Sequence, residues 1–176
     1  VFDAAGSDRE ERSRRLAEFA SGIEQLLCKR IYVPDADIGT RSEDIRQMLR
    51  STRTRIKRDA WRGNHSGRYT AIGCAASVDA AVRHVGKSLD ACRVAIEGFG
   101  SVGTALADLL RRRGAIVAAV STSHGAIYND AGLDIDSLVD LADNVGCRVV
   151  QEYGRAERLD RADLLELPVD VLCPCA

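Results

Sequence analysis

The 176-residue sequence lacks several features that would set it apart from ordinary globular proteins. It has no apolar run near the roughly 20 residues that a membrane-spanning helix needs and no secretory signal at its start, so we expect no membrane partner and a cytoplasmic location. Its six cysteines follow no disulfide framework, and Cys173-Pro174-Cys175 lacks the C-x-x-C spacing of zinc and redox motifs. We therefore expect reduced thiols, and we expect no metal because His65 and His84 have no partners at ligand spacing.

The chain also lacks an excess of charge of either sign. Its 25 basic and 26 acidic side chains leave a net charge of −1, which predicts no strongly charged partner. Basic residues are nevertheless concentrated from Arg46 to Arg68, where Asp59 is the only acidic residue and Trp61 the only aromatic one. Nucleic-acid surfaces combine basic with aromatic side chains, so we interpret this run as a solvated face or loop and expect no nucleic-acid partner.

A glycine-rich turn at the centre of the chain carries the first positive signal. The apolar run Val94–Ile96 predicts a strand, and apolar residues at helical spacing from Val102 to Leu110 predict a helix after the turn. In this G-x-G-x-x-G pattern, Gly98 permits the turn, Gly100 lets a pyrophosphate approach the backbone, and Gly103 lets the helix lie close to the strand. The alternative is a glycine turn that binds nothing. The candidate cofactor-binding residues of the turn are Gly98, Phe99, Gly100, Ser101, Val102 and Gly103.

Strand and helix patterns alternate over residues 69–176. This alternation predicts an α/β fold with a doubly wound parallel, Rossmann-like sheet. The glycine turn connects the first strand of that sheet to its following helix. The predicted elements are a helix over 70–85, strands over 94–96 and 115–120, a helix over 134–145, a strand over 148–150, a helical turn over 163–167 and a strand over 169–173.

Residues 1–68 predict a partial α/β domain that ends in a connecting loop. Capping boxes and apolar periodicity indicate a helix over 8–28 and a second helix beginning at Thr40, with a short strand over 31–33 between them. The periodicity is lost over 51–68, where basic residues alternate with Gly, Asn and Ser. We place the passage between two domains in that segment.

Four segments of the chain resemble motifs of the Glu/Leu/Phe/Val amino-acid dehydrogenase family, in the order of that family and at similar separations. The resemblance extends from about residue 8 to residue 176. It implies that residues 1–68 belong to a substrate domain, that residues 69–176 form an NAD(P)-binding domain, and that an L-amino acid is oxidatively deaminated to a 2-oxo acid. The segments are Val33–Thr40, like P-A-P-D-V-G-T; Ile96–Gly103, like Q-G-F-G-N-V-G; Gly125–Asp134, like G-G-I-Y-N-x-x-G-L-D; and Val169–Ala176, like D-I-L-V-P-A-A.

Asp37 is the candidate catalytic residue. It follows the predicted strand at the point where a helix begins, and α/β proteins often place working side chains at such a position. The resemblance matches it to the family aspartate that exchanges protons with the substrate nitrogen, a role that general acid–base chemistry supports. The alternative is a cap or turn residue beside Gly39.

The resemblance leaves the choice between NAD and NADP open. At the end of the second strand the family often has S-D-S, and this chain has Ser121-Thr122-Ser123-His124. An acidic residue at this place normally binds the adenosine ribose and repels a 2′-phosphate. Small hydroxyls beside a histidine would instead accept a 2′-phosphate, so NADP is a candidate alongside NAD. The alternative for His124 is a solvated loop residue.

The nicotinamide end of the implied site also departs from the family. In the glutamate branch a threonine that helps to hold the nicotinamide amide occupies the position of Ile72. The resemblance therefore implies that the hydroxyl that anchors the nicotinamide amide either comes from Thr70 or is lost. Cys175 and Ala176, in the last family-like segment, complete the set of candidate cofactor residues.

Two lysines that take part in the family's chemistry have no counterpart in this chain. Its lysines are Lys29, Lys57 and Lys87, and none lies in a family-like context. We therefore expect a fragment of a larger homo-oligomeric enzyme, or a degenerate relative, that is inactive by itself. The alternative is a non-catalytic Rossmann-type nucleotide-binding or regulatory module.

Overall fold

The computed structural model describes residues 9–35, 40, 42–54 and 66–175. The chain divides into two compact units, Val1–Asn64 and His65–Ala176, and each has an apolar core of its own. Among the described residues, no helix is both long and apolar enough to cross a bilayer.

The described part of the first unit is helical, with α1 (Arg9–Gly22), α2 (Glu24–Cys28) and α3 (Ser42–Arg50). An apolar core joins these helices, and an ion pair between Arg12 Nη2 and Asp44 Oδ2, 2.7 Å apart, also links α1 to α3. The predicted helices are confirmed, with a break at Ile23 that separates α1 from α2. The core residues are Leu16, Ala20, Leu27, Ile45, Met48 and Leu49.

The short strand predicted over 31–33 is wrong, because the backbone there completes the end of α2. Arg30 takes a left-handed φ of 55°, and its N–H donates to Leu27 O over 3.1 Å. The Ile31 N–H donates to Leu26 O over 2.9 Å. This pair of bonds is a Schellman motif, and it uses N–H groups that a strand would need for its ladder.

The described part of the second unit is built on a mixed five-stranded sheet. Its strands are β1 (Arg93–Glu97), β2 (Ile116–Thr122), β3 (Gly125–Tyr128), β4 (Glu157–Leu159) and β5 (Val171–Pro174). The strand order is β4-β3-β2-β1-β5. β1 pairs in parallel with β2 and β5, whereas the pairs β2–β3 and β3–β4 are antiparallel. The α/β class is therefore confirmed, with a parallel, Rossmann-like centre and an antiparallel edge that the sequence patterns did not predict.

The antiparallel edge begins with a tight hairpin between β2 and β3. Thr122 pairs with Gly125, so Ser123 and His124 form a two-residue connection. Gly125 takes a φ of 124°, which favours glycine. The hairpin lacks the Asn-Gly or Asp-Gly pair that most clearly marks such turns in a sequence, and this is why β3 escaped prediction.

Helices pack on one face of the sheet around the main core. They are α4 (Ser66–His84), α5 (Ser101–Arg111), α6 (Ile135–Val145) and α7 (Val149–Glu152). Along β1, Val94 and Ile96 belong to this core, whereas Ala95 belongs to a smaller cluster on the opposite face with Leu164. Leu164 comes from the 3-10 turn Ala162–Glu166, which confirms the predicted helical turn. This alternation is the two-residue period of a strand buried on both faces.

Two of the predicted strands near the end of the chain need correction. The strand predicted over 148–150 is wrong, because Val149 and Val150 start α7, and the Tyr153 N–H donates to Val149 O over 2.9 Å. A run of only two apolar residues, Val149 and Val150, fits a buried strand and a buried helical turn equally well. The strand predicted over 169–173 is present as β5 but begins at Val171.

Candidate functional site

The glycine turn joins the carboxyl end of β1 to α5 and is fixed against the end of β2. Gly98 takes a positive φ of 97°, which favours glycine. Its N–H donates to Ser121 Oγ over 3.2 Å, and the Phe99 N–H donates to Ser121 O over 2.7 Å. Ser121 is only 1% exposed, so these two bonds set the position of the turn relative to the strand ends.

A side chain added at either of two glycines of the turn would meet very different surroundings. A Cβ added at Gly103 would lie 1.8 Å from Gly98 O and 3.3 Å from Ile96 Cγ2, so only glycine allows α5 to pack this closely on β1. A Cβ added at Gly100 would meet no heavy atom of the described residues within 4 Å. Gly100 is also the N-cap of α5, whose first N–H groups have no partner within the helix. The open backbone at Gly100 is therefore suited to an anion.

A cleft of about 880 Å³ opens at the carboxyl ends of β1 and β2, where open α/β sheets bind their ligands. Its volume is typical of a ligand pocket. The glycine turn and the end of β2 supply backbone to the lining, and α5 and α6 supply side chains. The lining residues are Gly98, Phe99, Gly100, Ser101, Thr104, Ala105, Asp108, Arg112, Ser121, Thr122, Ser123, Asp136, Val139, Asp140, Ala142, Asp143, Gly146, Cys147, Arg161 and Cys175.

The hydroxyl groups at the end of β2 take part in bonds within the protein. Thr122 Oγ1 donates to Cys147 O over 2.7 Å and accepts from the His124 N–H over 3.1 Å. Ser123 Oγ and His124 Nδ1 are 3.0 Å apart and share a hydrogen bond. The bond from Thr122 to Cys147 connects the end of β2 to the 3-10 turn Gly146–Arg148, which directly follows α6.

Arginines of α5 form ion pairs at the border of the cleft. Arg112 Nε donates to both carboxylate oxygens of Asp108 over 2.9 Å, and Arg111 Nη2 donates to Asp108 over 3.1 Å. These bonds lower the pKa of Asp108, with the hydrogen bond from Arg112 as the largest cause. Arg111 Nη2 also donates to Asp136 Oδ1 over 2.9 Å and so bridges α5 and α6.

α6 contributes further acidic side chains to the cleft, and sequence reasoning missed all of them. Asp136, Asp140 and Asp143 line it, at spacings of four and three residues that place them on one face of the helix. We call these three residues the acidic face of α6. The spacing was visible in the sequence, but the direction in which that face points depends on how α6 packs. At the end of β1, Arg161 Nη2 donates to Glu97 Oε1 over 3.0 Å.

Three thiols lie in or against the main core near the cleft, namely Cys74, Cys173 and Cys175. Burial raises the pKa of Cys173 to about 12, and burial also raises the pKa of Cys175. Both groups are therefore protonated near neutral pH, which is the unreactive form of a thiol.

Among the described residues, no three His, Cys, Asp or Glu side chains are grouped to hold a metal ion.

The structure brings many of the sequence-predicted site residues to the cleft. Val102 and Gly103 instead pack toward the core, Thr70 lies exposed on α4, and His124 lies in the β2–β3 turn. Asp37 and Ala176 lie outside the described residues. Their roles as site residues stay predictions. The predicted residues that line the cleft are Gly98, Phe99, Gly100, Ser101, Ser121, Thr122, Ser123 and Cys175.

The parallel centre of the sheet, the glycine turn and the cleft at the strand ends define an α/β domain of the Rossmann type. Residues 64–176 match the family model described as Glutamate/Leucine/Phenylalanine/Valine dehydrogenase. This match covers more than half of the chain, so the chain belongs to that family. The family resemblance is confirmed, and three of its four segments lie within the matched residues.

Two curated relatives are similar to about two thirds of this chain. Glutamate dehydrogenase A2 of Halobacterium salinarum is 40% identical over 116 residues. The NAD-specific glutamate dehydrogenase of Staphylococcus aureus is 34% identical over 115 residues. Each alignment covers 65% of this chain and 27% of the relative, so the chain corresponds to a minor part of these enzymes.

Solved glutamate dehydrogenases share the fold. The hetero-hexameric glutamate dehydrogenase of Thermus thermophilus, in its Leu-bound form, superposes with a TM-score of 0.74 over 99% of this chain and 43% of its own. The sequence identity is 22%, so this likeness concerns the fold alone.

Proposed function

We propose that this chain is the cofactor-binding part of an NAD(P)-dependent amino-acid dehydrogenase. The observation that carries the proposal is the open backbone at Gly100, which starts α5 and borders the cleft in a chain that belongs to this family. The N–H groups there suit the pyrophosphate of a dinucleotide, and the neighbouring end of β2 suits its adenosine ribose. In this proposal residues 69–176 are the NAD(P)-binding domain and residues 1–68 belong to the substrate domain.

The chain would hold the dinucleotide mainly through its backbone. Gly103 keeps α5 close to β1, and Ser121 fixes the turn, so the first N–H groups of α5 are held in position before a ligand arrives. Such preorganisation lowers the cost of binding. Cys175 borders the same cleft, and we propose that the nicotinamide end extends toward it and toward Thr70. The bound cofactor supplies the hydride acceptor of the reaction.

For the parent protein we propose the oxidative deamination of an L-amino acid to a 2-oxo acid. The curated relatives are named glutamate dehydrogenases, so glutamate is the first substrate to test, followed by leucine, valine and phenylalanine. Asp37 is proposed as the group that accepts a proton from the substrate ammonium. We also propose that the parent is a homo-oligomer, as the family resemblance implies. A cytoplasmic location stays a prediction.

Replacing Gly100 by alanine tests cofactor binding at the turn. Its φ is −97°, which alanine adopts, and the new Cβ would meet no heavy atom of the described residues within 4 Å, so the fold should be retained. The same methyl group would enter the space proposed for the pyrophosphate. We expect the Kd for NADH or NADPH to rise at least about tenfold in a fluorescence titration.

Gly154→Ala is the matched control. Gly154 does not line the cleft, and its added Cβ is equally open among the described residues, so the Kd should not change. The proposal fails if the unaltered chain binds neither dinucleotide, or if Gly100→Ala binds as tightly as the unaltered chain. Amino-acid-dependent cofactor reduction by the parent protein then separates the enzyme from the alternative of a non-catalytic nucleotide-binding or regulatory module, which would bind without turnover.

A further inference from the structure

The C-terminal end of α6, which carries Asp143 of the acidic face, is tied to the end of β2. The hydrogen bond from Thr122 Oγ1 to Cys147 O, 2.7 Å long, ties the strand end to the turn that directly follows α6. Asp143 comes three residues before that turn and lines the same cleft as Thr122 and Ser123. Carboxylates thus border the strand end from α6, although Thr122 occupies the position where an acidic residue is usual in the sequence pattern.

The negative charge of this face is only partly balanced. Arg111 donates to Asp136 over 2.9 Å. Among the residues that the structure describes, no cation pairs with Asp140 or Asp143. Both side chains are exposed and border the cleft, so their charge acts on any ligand that enters there.

The side chains with donor groups suited to a phosphate at this place are already hydrogen-bonded within the protein. Arg112 binds both oxygens of Asp108 over 2.9 Å, and Arg161 donates to Glu97 over 3.0 Å. The Thr122 hydroxyl donates to Cys147 O, and Ser123 shares a hydrogen bond with His124. A phosphate would have to replace these bonds while facing the carboxylates of α6.

We propose that the acidic face of α6 makes the cleft select dinucleotides without a 2′-phosphate, so that NAD is bound in preference to NADP. This inference rests on the proposed function of the cleft. A 2′-phosphate brings additional negative charge to a cleft already lined by carboxylates, and like charges repel each other. The selecting residues are Asp140 and Asp143, supplied by a helix rather than by the end of β2.

The test compares the Kd of the chain for NADP with its Kd for NAD, measured by calorimetry. For the unaltered chain we expect NADP to bind at least about tenfold more weakly than NAD. Neutralising the face with Asp140→Asn and Asp143→Asn together should lower the ratio of the two Kd values about tenfold. The control pair Glu157→Gln and Glu166→Gln removes the same charge at exposed positions outside the cleft and should leave the ratio unchanged.

Salt gives a second measurement that needs no substitution. Raising the ionic strength from about 0.02 M to about 0.5 M should bring the two Kd values together, because screening weakens repulsion between exposed charges. The inference is overturned, with the proposed function left standing, if NAD binds and NADP binds equally or more tightly, or if the aspartate variants keep the unaltered ratio. Failure to bind either dinucleotide overturns both proposals.

Discussion

The glycine turn and the acidic face of α6 border the same cleft but are specified in different ways. The turn is defined by steric exclusion within a few residues, because Gly103 has no room for a Cβ and Gly98 has a positive φ. The acidic face depends on charge and on the packing of a helix from a distant part of the sequence. We infer that the turn determines that a dinucleotide binds, whereas the face determines which dinucleotide is preferred.

The largest effect is expected from breaking the turn with Gly103→Ala. The new Cβ would lie 1.8 Å from Gly98 O, a clash with backbone that no side-chain rotation relieves. We expect the free energy of unfolding to fall by at least about 3 kcal/mol, as for other severe overpacking. Denaturant unfolding followed by circular dichroism measures the change.

Gly73→Ala in α4 serves as the control for that substitution. Its helical position is open among the described residues, so alanine should raise the free energy of unfolding by about 0.5–1 kcal/mol. Equal stability of Gly103→Ala and Gly73→Ala would show that the close contact between α5 and β1 is not a steric requirement.

The same contrast explains how much of the molecule could be predicted. β1, the turn and α5 follow from local rules, since apolar runs, glycine positions and helical spacing all lie within about 20 residues. The alternation of elements was sufficient for the α/β class. The strand prediction over 31–33 was wrong because Arg30 and Ile31 complete the end of α2. The strand prediction over 148–150 was wrong because so short a segment cannot show the period of a strand or of a helix.

The charged lining of the cleft could not be predicted from local sequence patterns. Asp140 and Asp143 show helical spacing in the sequence, but exposed acids on helices usually face solvent. Only the packing of α6 beside the end of β2, through the bond from Thr122 to Cys147, brings them to the cleft. Local patterns also cannot show that the hydroxyls of Ser121 and Thr122 are hydrogen-bonded within the protein. Their partners, Gly98 and Cys147, lie more than twenty residues away in the sequence.

A smaller effect is expected from separating β2 from the turn after α6. Thr122→Val keeps the shape of this side chain, which is 7% exposed, but removes the hydroxyl that donates to Cys147 O. The loss should lower the free energy of unfolding by about 1–2 kcal/mol, because the Cys147 carbonyl and the His124 N–H both lose their partner. Thr122→Ser retains the hydroxyl and should cost less than Thr122→Val. If the two variants have equal stability, the bond does not attach α6 to the strand end.

The smallest effect concerns the ion pairs that Asp108 makes with two arginines at the end of α5. Hydrogen bonds from Arg112 and then Arg111 lower the pKa of Asp108, so its charge stabilises the fold above the pKa of the unfolded chain and this contribution is lost as pH falls through the lower, folded value. Asp108→Asn should therefore lower the Tm at pH 7. The free energy of unfolding should fall by no more than about 1 kcal/mol, because the side chain is 34% exposed and screened by solvent. The Tm difference from the unaltered chain should shrink below about pH 4, where the unfolded carboxyl protonates.

Asp143→Asn, which removes a carboxylate without a cationic partner among the described residues, should show no such loss at pH 7. A Tm difference for Asp108→Asn that stays constant between pH 7 and pH 3 would mean that its arginine pairs do not stabilise the folded chain.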